Sequence, residues 1–425
     1  MISPTSMSEP MTADLGALGR QPAAHDARRN WELAAFAVLF ALTMPAVKVH
    51  AGIDIRIGQL ALAGVFALAL IRDLHRQTVA WGPLLAVTGL GLLLSGMSVL
   101  STYPKVKEMT FLVKYVVVFP TAFYLGLRLL TLAGAERLIR VIEVTLAAAC
   151  LLSLFLHMHP VPLLVHERPA YLSDGLKGPF WEQGELAFSV GLFLVASLAL
   201  RLEYGLRPRR AWLHGLLYGL ALGCALASYN KTIWIALIGA CMAAAVLYRG
   251  GNRFGDVARV WAKRLAVIAV VGGVLLAAYN AWLPGDEKLV TQQMLENKWQ
   301  NERGAALRLT WDLIGDAPVL GHGFGFVEAY FGTYPTDIIG LGSGVAQIFN
   351  SYLDLWLSEG LVGFVYALGL LAAVLSTRSL VSVMVVAYLF VFANFNPVAQ
   401  HEYYHLFLGL ALGAAAAVRT GRCGG

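Results

Sequence analysis

The chain has 425 residues, of which 58% are hydrophobic and 14% are charged. A water-soluble protein of this length needs more charge to cover its surface, so the composition excludes a soluble globular enzyme. The formal net charge is +6, but the basic residues are concentrated in alternate loops between apolar runs. This distribution is typical of membrane topology and argues against a nucleic-acid partner.

Residues 1–29 are polar and lack an apolar core, and we predict a disordered cytoplasmic tail there. The rest of the chain consists of apolar runs, each long enough to cross roughly 30 Å of hydrocarbon as a helix. This pattern predicts an all-α polytopic membrane protein whose single transmembrane domain covers residues 30–420. About twelve transmembrane helices are predicted, near residues 31–48, 56–72, 82–100, 110–128, 139–157, 185–201, 211–228, 232–248, 264–282, 356–376, 380–395 and 403–418.

The basic residues indicate the orientation of these spans. With the N-terminus in the cytoplasm, the tail and alternate loops hold about 20 of the 32 Lys and Arg residues. Loops enriched in Lys and Arg stay in the cytoplasm by the positive-inside rule. We therefore predict a bacterial inner-membrane protein with its active face in the periplasm.

Two predicted periplasmic loops are long, at residues 157–184 and 283–350. The second contains a predicted helix over about 290–315. In this helix Trp299, Arg303, Leu307 and Trp311 recur every four residues and share one face, which we expect to pack towards the membrane domain. A glycine-rich turn follows, and a second amphipathic helix begins near Asn350 and continues into the tenth span.

Few basic residues lie on the periplasmic side. Lys114 lies inside the fourth span near its outer end, where snorkelling of the amine and binding of an anionic group are both open readings. Arg168 follows Glu167 in the first long loop and either pairs with it or binds a ligand. Lys177 lies near the end of that loop, and Lys231 begins the eighth span.

Three of the cations, Lys177, Lys231 and Arg303, come from separate segments but map to the same membrane face at similar depth. Convergent cations at an outer membrane interface suit a phosphate or pyrophosphate head group. The alternative is that each has an independent structural role.

Four segments together resemble the motifs of a known family. They are GLKGPFWEQGELA around Lys177, SYNKTIWIAL around Lys231, ERGAALRLTWDLIGDAPVLGHGFG with Arg303 as its second residue, and FNSYLDLWLSEGLVG from Phe349. Their order and spacing resemble the O-antigen ligase and O-antigen polymerase superfamily, which includes exopolysaccharide polymerases. The resemblance covers most of the chain from about residue 110 onward.

The resemblance implies a metal-independent glycosyltransferase without a cofactor. The implied donor is a glycan on undecaprenyl pyrophosphate, the acceptor is a glycan or the lipid A core, and membrane lipid surrounds the site. Basic residues hold the pyrophosphate and stabilise its charge as it leaves. By this resemblance Lys177, Lys231 and Arg303 are pyrophosphate ligands, and Arg303 and Lys231 act in catalysis. The further substrate-binding candidates are Lys114, Arg168, Asn350 and Glu185.

Two positions depart from the family pattern. Lys231 stands where Arg is usual, which keeps the charge but loses the bidentate fork. Phe349 stands where the family has a His thought to activate the acceptor, and Phe cannot accept a proton. His322 in the glycine-rich turn is our predicted catalytic replacement, with Glu359, His401 and Glu402 as other candidates. The missing His favours a polymerase over a ligase.

Two other functions remain open. A transporter or flippase of lipid-linked sugars fits the number of spans, but such folds usually have paired halves and ionisable residues at mid-depth. A catalytically inactive relative acting as a scaffold is the third reading. His401 and His405, four residues apart, would allow a metal pair, but packing at a helix end is the favoured role.

Overall fold

The computed structural model describes residues 21–45, 47–50, 54–100, 108–161, 164, 175–180, 183–208, 210–248, 260, 274, 278, 281–282, 303–334 and 348–419. These residues form an all-α architecture with one small hairpin. The helices are α1 Gln21–Leu42, α2 Ile57–His75, α3 Trp81–Leu100, α4 Glu108–Val113, α5 Phe119–Ala133, α6 Ala135–Met158, α7 Gln183–Glu203, α8 Ala211–Ala227, α9 Thr232–Leu247, α10 Arg303–Asp316, α11 Phe326–Thr333, α12 Ser351–Leu375, α13 Leu380–Ala393 and α14 Glu402–Arg419. A π-helical turn, Lys114–Val118, joins α4 to α5.

The all-α prediction is confirmed, and eleven of the predicted spans coincide with helices of the described residues. The ninth, at 264–282, lies almost entirely outside the described residues. Within the described ranges, six helical segments are long and apolar enough to cross a membrane, namely α2, α3, α6, α7, α12 and the segment Thr110–Ala133. Helices α8, α9, α13 and α14 are apolar but shorter, so the count of twelve spans stays a prediction.

The first span differs from its prediction at both ends. Helix α1 begins at Gln21, within the segment predicted as a tail, and ends at Leu42. After it, strands β1 Lys48–His50 and β2 Asp54–Arg56 pair antiparallel, with Val49 opposite Ile55. Pro45, which cannot continue the backbone ladder of a helix, stands between α1 and this hairpin. The hairpin was not predicted from the sequence.

Helices α5 and α14 make the closest helix pair at the centre of the bundle. A Cβ atom added to Gly126 would collide with the backbone of α14 at Leu406, and one added to Gly409 would collide with the backbone of α5 at Phe123. Small residues at such a crossing let two apolar helices approach backbone to backbone, as is common in membrane proteins. This pair carries the start of α14, and with it His401 and Glu402, to the site described below.

One end of the bundle, which we name the arginine-rich end, is closed by bidentate ion pairs at Arg128 and Arg201. Arg128 donates to both carboxylate oxygens of Asp73 at 2.7 and 2.9 Å, and the Asp73 side chain is fully buried. Arg201 donates to both oxygens of Glu143 at 2.7 Å, and Ser197 also donates to Glu143. These pairs tie α2 to α5 and α6 to α7 with charge-assisted hydrogen bonds.

The segment Pro318–Gly323 fills a break in helix α12. At the break Gly360 has a left-handed backbone (φ 67°). The amides of His322 and Gly323 donate to the carbonyls of Leu357 and Ser358 at 2.9 and 2.7 Å, and the amide of Leu361 donates to Pro318. These bonds satisfy backbone groups that the interrupted helix leaves without partners, so the turn is fixed to α12.

Helix α10 buries a face that overlaps only in part with the one predicted. Its buried residues include Ala306, Thr310 and Leu313, whereas Trp311 is 47% exposed. Within the predicted loop 283–350, α10 and α11 form a small core of their own with the start of α12, separate from the core of the bundle. The predicted face is therefore buried only in part: Leu307 packs against this local core, whereas Trp311 is exposed. Trp299 lies outside the described residues.

Candidate active site

Four connecting segments meet at the end of the bundle opposite the arginine-rich end. They are the β1–β2 hairpin, residues 175–180, the turn 228–231 and residues 394–401. We name this region the site end. The amide of Leu176 donates to the carbonyl of Ala227 at 2.7 Å, which joins the Lys177 segment to the turn before Lys231. A Cβ atom added to Gly184 would touch the side chains of Asn230 and Asn396, so the start of α7 also packs against two of these segments.

Lys177 is buried, with 3% of its surface exposed. It lies in a short segment, residues 175–180, of which every residue is buried. The next residue, Gly178, has a left-handed backbone (φ 59°) and packs against Ser153, where no side chain fits. A lysine amine at this depth requires polar or anionic partners, so Lys177 suits a role as a fixed cation.

Lys231 is exposed, unlike Lys177, and directly precedes α9. The Asn230 side chain accepts from the amide of Thr232 at 3.0 Å and holds the turn. The structure thus brings the segments of Lys177 and Lys231 together. Arg303 is the first residue of α10, but its side chain lies outside the described part, and Arg168 lies outside it altogether. The convergence of three cations therefore stays a prediction.

The site end contains a charged cluster that the sequence did not identify as a unit. Arg56, Glu185, His401 and Glu402 line one crevice of about 20 Å³, which holds about one water molecule. The Nε2 atom of His401 lies 3.5 Å from Oε1 of Glu185. Glu402 accepts a hydrogen bond from the Gln59 side-chain amide at 2.6 Å.

The electrostatic surroundings keep the His401 imidazole neutral. Burial disfavours its protonated form, and the positive charges of Arg56 and Lys114 add to this effect, so its pKa falls from 6.5 to about 3. Lys114 begins the π-helical turn, with its amine 5.5 Å from the centre of the Phe111 ring. Lys114 therefore contributes positive charge to the crevice, and its predicted role in binding an anionic group stays a prediction.

Arg56 is the member of the cluster that our sequence reasoning missed. It ends strand β2 and lines the crevice beside Glu185 and Glu402. The signal that would have found it is its place at the start of the second predicted span, at the predicted periplasmic end, where basic residues are rare.

His322 and Asn350 have contacts that hold the local structure. The Nε2 atom of His322 lies 2.7 Å from the carbonyl oxygen of Leu313, and its ring stacks on Phe326 with centroids 4.1 Å apart. The Asn350 side chain caps α12, accepting from the amides of Tyr352 and Leu353 at 2.9 and 3.1 Å. The roles predicted for His322 in catalysis and for Asn350 in substrate binding stay predictions.

Two further titratable residues, Glu359 and His405, are buried and make packing contacts. Glu359 is completely buried beside Tyr115 at the break in α12 and has no exposed surface for an acceptor to reach. His405 is also buried, with Nε2 3.1 Å from the carbonyl oxygen of Ala399 and its ring stacked on Phe119 at 4.0 Å. Among the residues that the structure describes, no three His, Cys, Asp or Glu side chains are placed to hold a metal ion.

The relationship to known proteins rests on one comparison. Residues 216–368 match the family model described as O-Antigen ligase. The match confirms the resemblance to the O-antigen ligase and polymerase superfamily over the part of the chain that contains Lys231, Arg303 and the glycine-rich turn. A search of curated proteins returned no match. The family consists of enzymes that transfer glycans, and the match supports this class of function in a membrane-bound protein.

Proposed function

We propose that the protein transfers a glycan from undecaprenyl pyrophosphate to a hydroxyl acceptor at the periplasmic face of the inner membrane. The family match over residues 216–368 supports the reaction class. The observation that carries the site is the hydrogen bond between Leu176 and Ala227, which brings the Lys177 segment against the turn of Lys231. Two cations from distant parts of the chain thus lie on segments in direct contact.

In this proposal the cations hold the pyrophosphate and stabilise it as the leaving group. Lys177, Lys231 and Arg303 bind its oxygens, and Arg56 and Lys114 add positive charge around the site. The crevice has room for about one water molecule, so the pyrophosphate binds outside it, within reach of the exposed Lys231. Positioning and electrostatic stabilisation at a partly dry interface are then the main sources of catalysis.

His401 is the acceptor-activating group in this proposal, held by the Glu185 carboxylate 3.5 Å away. Its low pKa, which is caused first by burial and then by Arg56 and Lys114, makes it a weak base. The negative charge of a bound pyrophosphate offsets both cations and raises the pKa of His401. His401 then takes the proton of the acceptor hydroxyl while the hydroxyl oxygen forms a bond to the anomeric carbon. The bond from that carbon to the phosphate oxygen breaks, and its electron pair leaves with the pyrophosphate.

If His401 is the base, the protein does not need the family His that Phe349 replaces. His322 is then the second candidate for the base. Because the ligase-type His is missing, we favour polymerisation of lipid-linked glycan repeats over ligation to the lipid A core. Exposed Lys231 suits a donor that exchanges at every cycle.

The test is to incubate the purified protein with a polyprenyl-pyrophosphate oligosaccharide and to analyse the products by mass spectrometry. Longer lipid-linked chains identify a polymerase, and glycan on added lipid A core identifies a ligase. Lys231→Arg keeps the charge and should retain transfer, whereas Lys231→Gln should lose most of it. Arg76→Gln, an exposed arginine at the other end of the bundle, is the matched control. The absence of any covalent product with the folded protein would refute the proposal and favour transport.

A further inference from the structure

A groove of about 620 Å³ opens between α1 and α6, far from the site end. It lies at the arginine-rich end, next to Trp31 of α1. The guanidinium of Arg72 lies 5.7 Å from the centre of the Trp31 ring. Trp beside basic residues is typical of the interface between lipid head groups and hydrocarbon. The groove is therefore at the depth of a lipid head group.

The inner part of the groove is apolar. Leu33 and Phe36 of α1 and Val141 and Val144 of α6 line it, each pair spaced by three residues so that both members share one helix face. Leu33 is 61% exposed and Val144 is 48% exposed. Val141 is buried, so Leu33, Phe36 and Val144 form the accessible apolar strip that an acyl chain could cover.

The rim of the groove is charged and has a positive balance. Arg29, Arg137 and Arg140 lie there with Glu32 and Glu136, which leaves one net positive charge. Arg140 lies 3.3 Å from Glu32 and 3.8 Å from Glu136, and its side chain is 55% exposed. Ion pairs this exposed contribute little stability, so Arg140 can turn to a phosphate at small cost.

We propose that this groove binds one anionic diacyl phospholipid. The phosphodiester lies against Arg29 and Arg140, and one acyl chain lies along the strip of Leu33, Phe36 and Val144. A single phosphodiester charge neutralises the excess positive charge of the rim, and guanidinium groups match phosphate oxygens with bidentate hydrogen bonds. A zwitterionic lipid would leave that charge uncompensated, and a soluble phosphate would leave the apolar strip exposed.

The experiment measures lipid retention by native mass spectrometry after the purified protein is exchanged into neutral detergent with phosphatidylglycerol or phosphatidylcholine. The wild type should retain one phosphatidylglycerol in preference to phosphatidylcholine. The variant Arg29→Gln/Arg140→Gln should weaken phosphatidylglycerol retention about tenfold or more, since each basic residue near an anionic lipid contributes a factor of about five. The matched control is Arg76→Gln/Arg210→Gln, which removes two exposed arginines of the same end outside the groove.

Three further results decide the proposal. Leu33→Ser should weaken retention while glycerol phosphate at millimolar concentration displaces no lipid. Equal retention by the groove variant and its control overturns the proposal, and so does displacement of the lipid by glycerol phosphate. If the double variant does not fold, Arg29→Gln alone should still weaken retention, and no change there overturns the proposal. The measurement involves no glycan transfer, so its outcome is independent of the proposed function.

Discussion

The two ends of the bundle use buried ionisable groups in different ways. At the arginine-rich end, Asp73 and Glu143 are each held by both arms of a guanidinium at distances of 2.7–2.9 Å. At the site end, His401 and Glu185 lie 3.5 Å apart beside a crevice. Bidentate pairs fix helices in one arrangement, whereas a looser pair next to open space can exchange a proton or a partner.

The difference extends to the residue types. Arginine, which is planar and always charged, makes the closed pairs at the arginine-rich end, and lysines supply most cations of the proposed pyrophosphate site. In a cluster whose charges are already matched, such as the one at the arginine-rich end, removing one member should lower the stability of the protein. In a cluster with excess cations, such as the proposed pyrophosphate site, removing one cation should lower activity and leave the fold intact. Substitutions at the two ends should therefore have different consequences.

The largest effect is expected at His401. His401→Ala should lower the rate of glycan transfer about 100- to 10,000-fold, because a positioned general base contributes a factor of this size. Glu185→Gln should lower the rate less, since it removes only the group that holds the ring. The measurement is turnover of lipid-linked oligosaccharide, with His159→Ala, an exposed histidine after α6, as control. Unchanged turnover in His401→Ala would mean that another residue is the general base.

Arg201 has no direct chemical role in this account, and replacing it should lower the stability of the protein. Arg201→Met leaves the buried Glu143 carboxylate without its main partner and should destabilise the protein by roughly 3–5 kcal/mol. The double variant Arg201→Met/Glu143→Gln removes the orphaned charge and should recover most of the loss. Thermal unfolding in detergent measures both. A double variant as unstable as the single one would mean that the pair does not act as a closed unit.

The apolar runs allowed the spans to be predicted from the sequence. The contacts between distant segments could not be predicted in this way. Eleven predicted spans coincide with described helices, since a membrane helix must be apolar along its whole length. The break at Gly360 was missed because α12 reads as one continuous run, and its partner, Pro318–Gly323, precedes it by about 40 residues.

The candidate site was predicted only in part for the same reason. Individual outer cations were visible in the sequence, and so were His401 and Glu402 as separate candidates. Their assembly with Glu185 and Arg56 depends on the packing of α14 against the bundle, which no local pattern encodes. On α10, the predicted stripe through Leu307 and Trp311 and the stripe through Ala306 and Thr310 both have helical spacing, and the local core buries the second more deeply.

A pH effect on stability is expected from His401. Its pKa is about 3 in the folded protein against 6.5 as the ordinary value, so between these values the unfolded chain binds a proton that the folded chain does not. Stability is therefore full above pH 6.5 and falls on acidification below it, by up to about 1.4 kcal/mol per pH unit. The melting temperature of His401→Asn should fall less than that of the wild type between pH 7 and pH 5. Parallel curves would contradict this.

The smallest effect is expected at Asn350. Asn350→Ala removes the cap of α12 and should cost about 1 kcal/mol, and Asn350→Asp, which keeps the capping oxygen, should restore most of it. Thermal unfolding measures the difference. If Asn350 also binds substrate, both variants should raise KM, whereas a cap alone predicts normal KM in Asn350→Asp.

The central claim is that Lys177, Lys231 and Arg303 hold one pyrophosphate. The most direct measurement is the binding of undecaprenyl pyrophosphate, compared with undecaprenyl monophosphate, to the wild type and to Lys177→Gln, Lys231→Gln and Arg303→Gln. We predict that the wild type prefers the pyrophosphate and that each variant loses about tenfold or more of that preference while remaining folded. Folded variants that keep the wild-type preference would contradict the account.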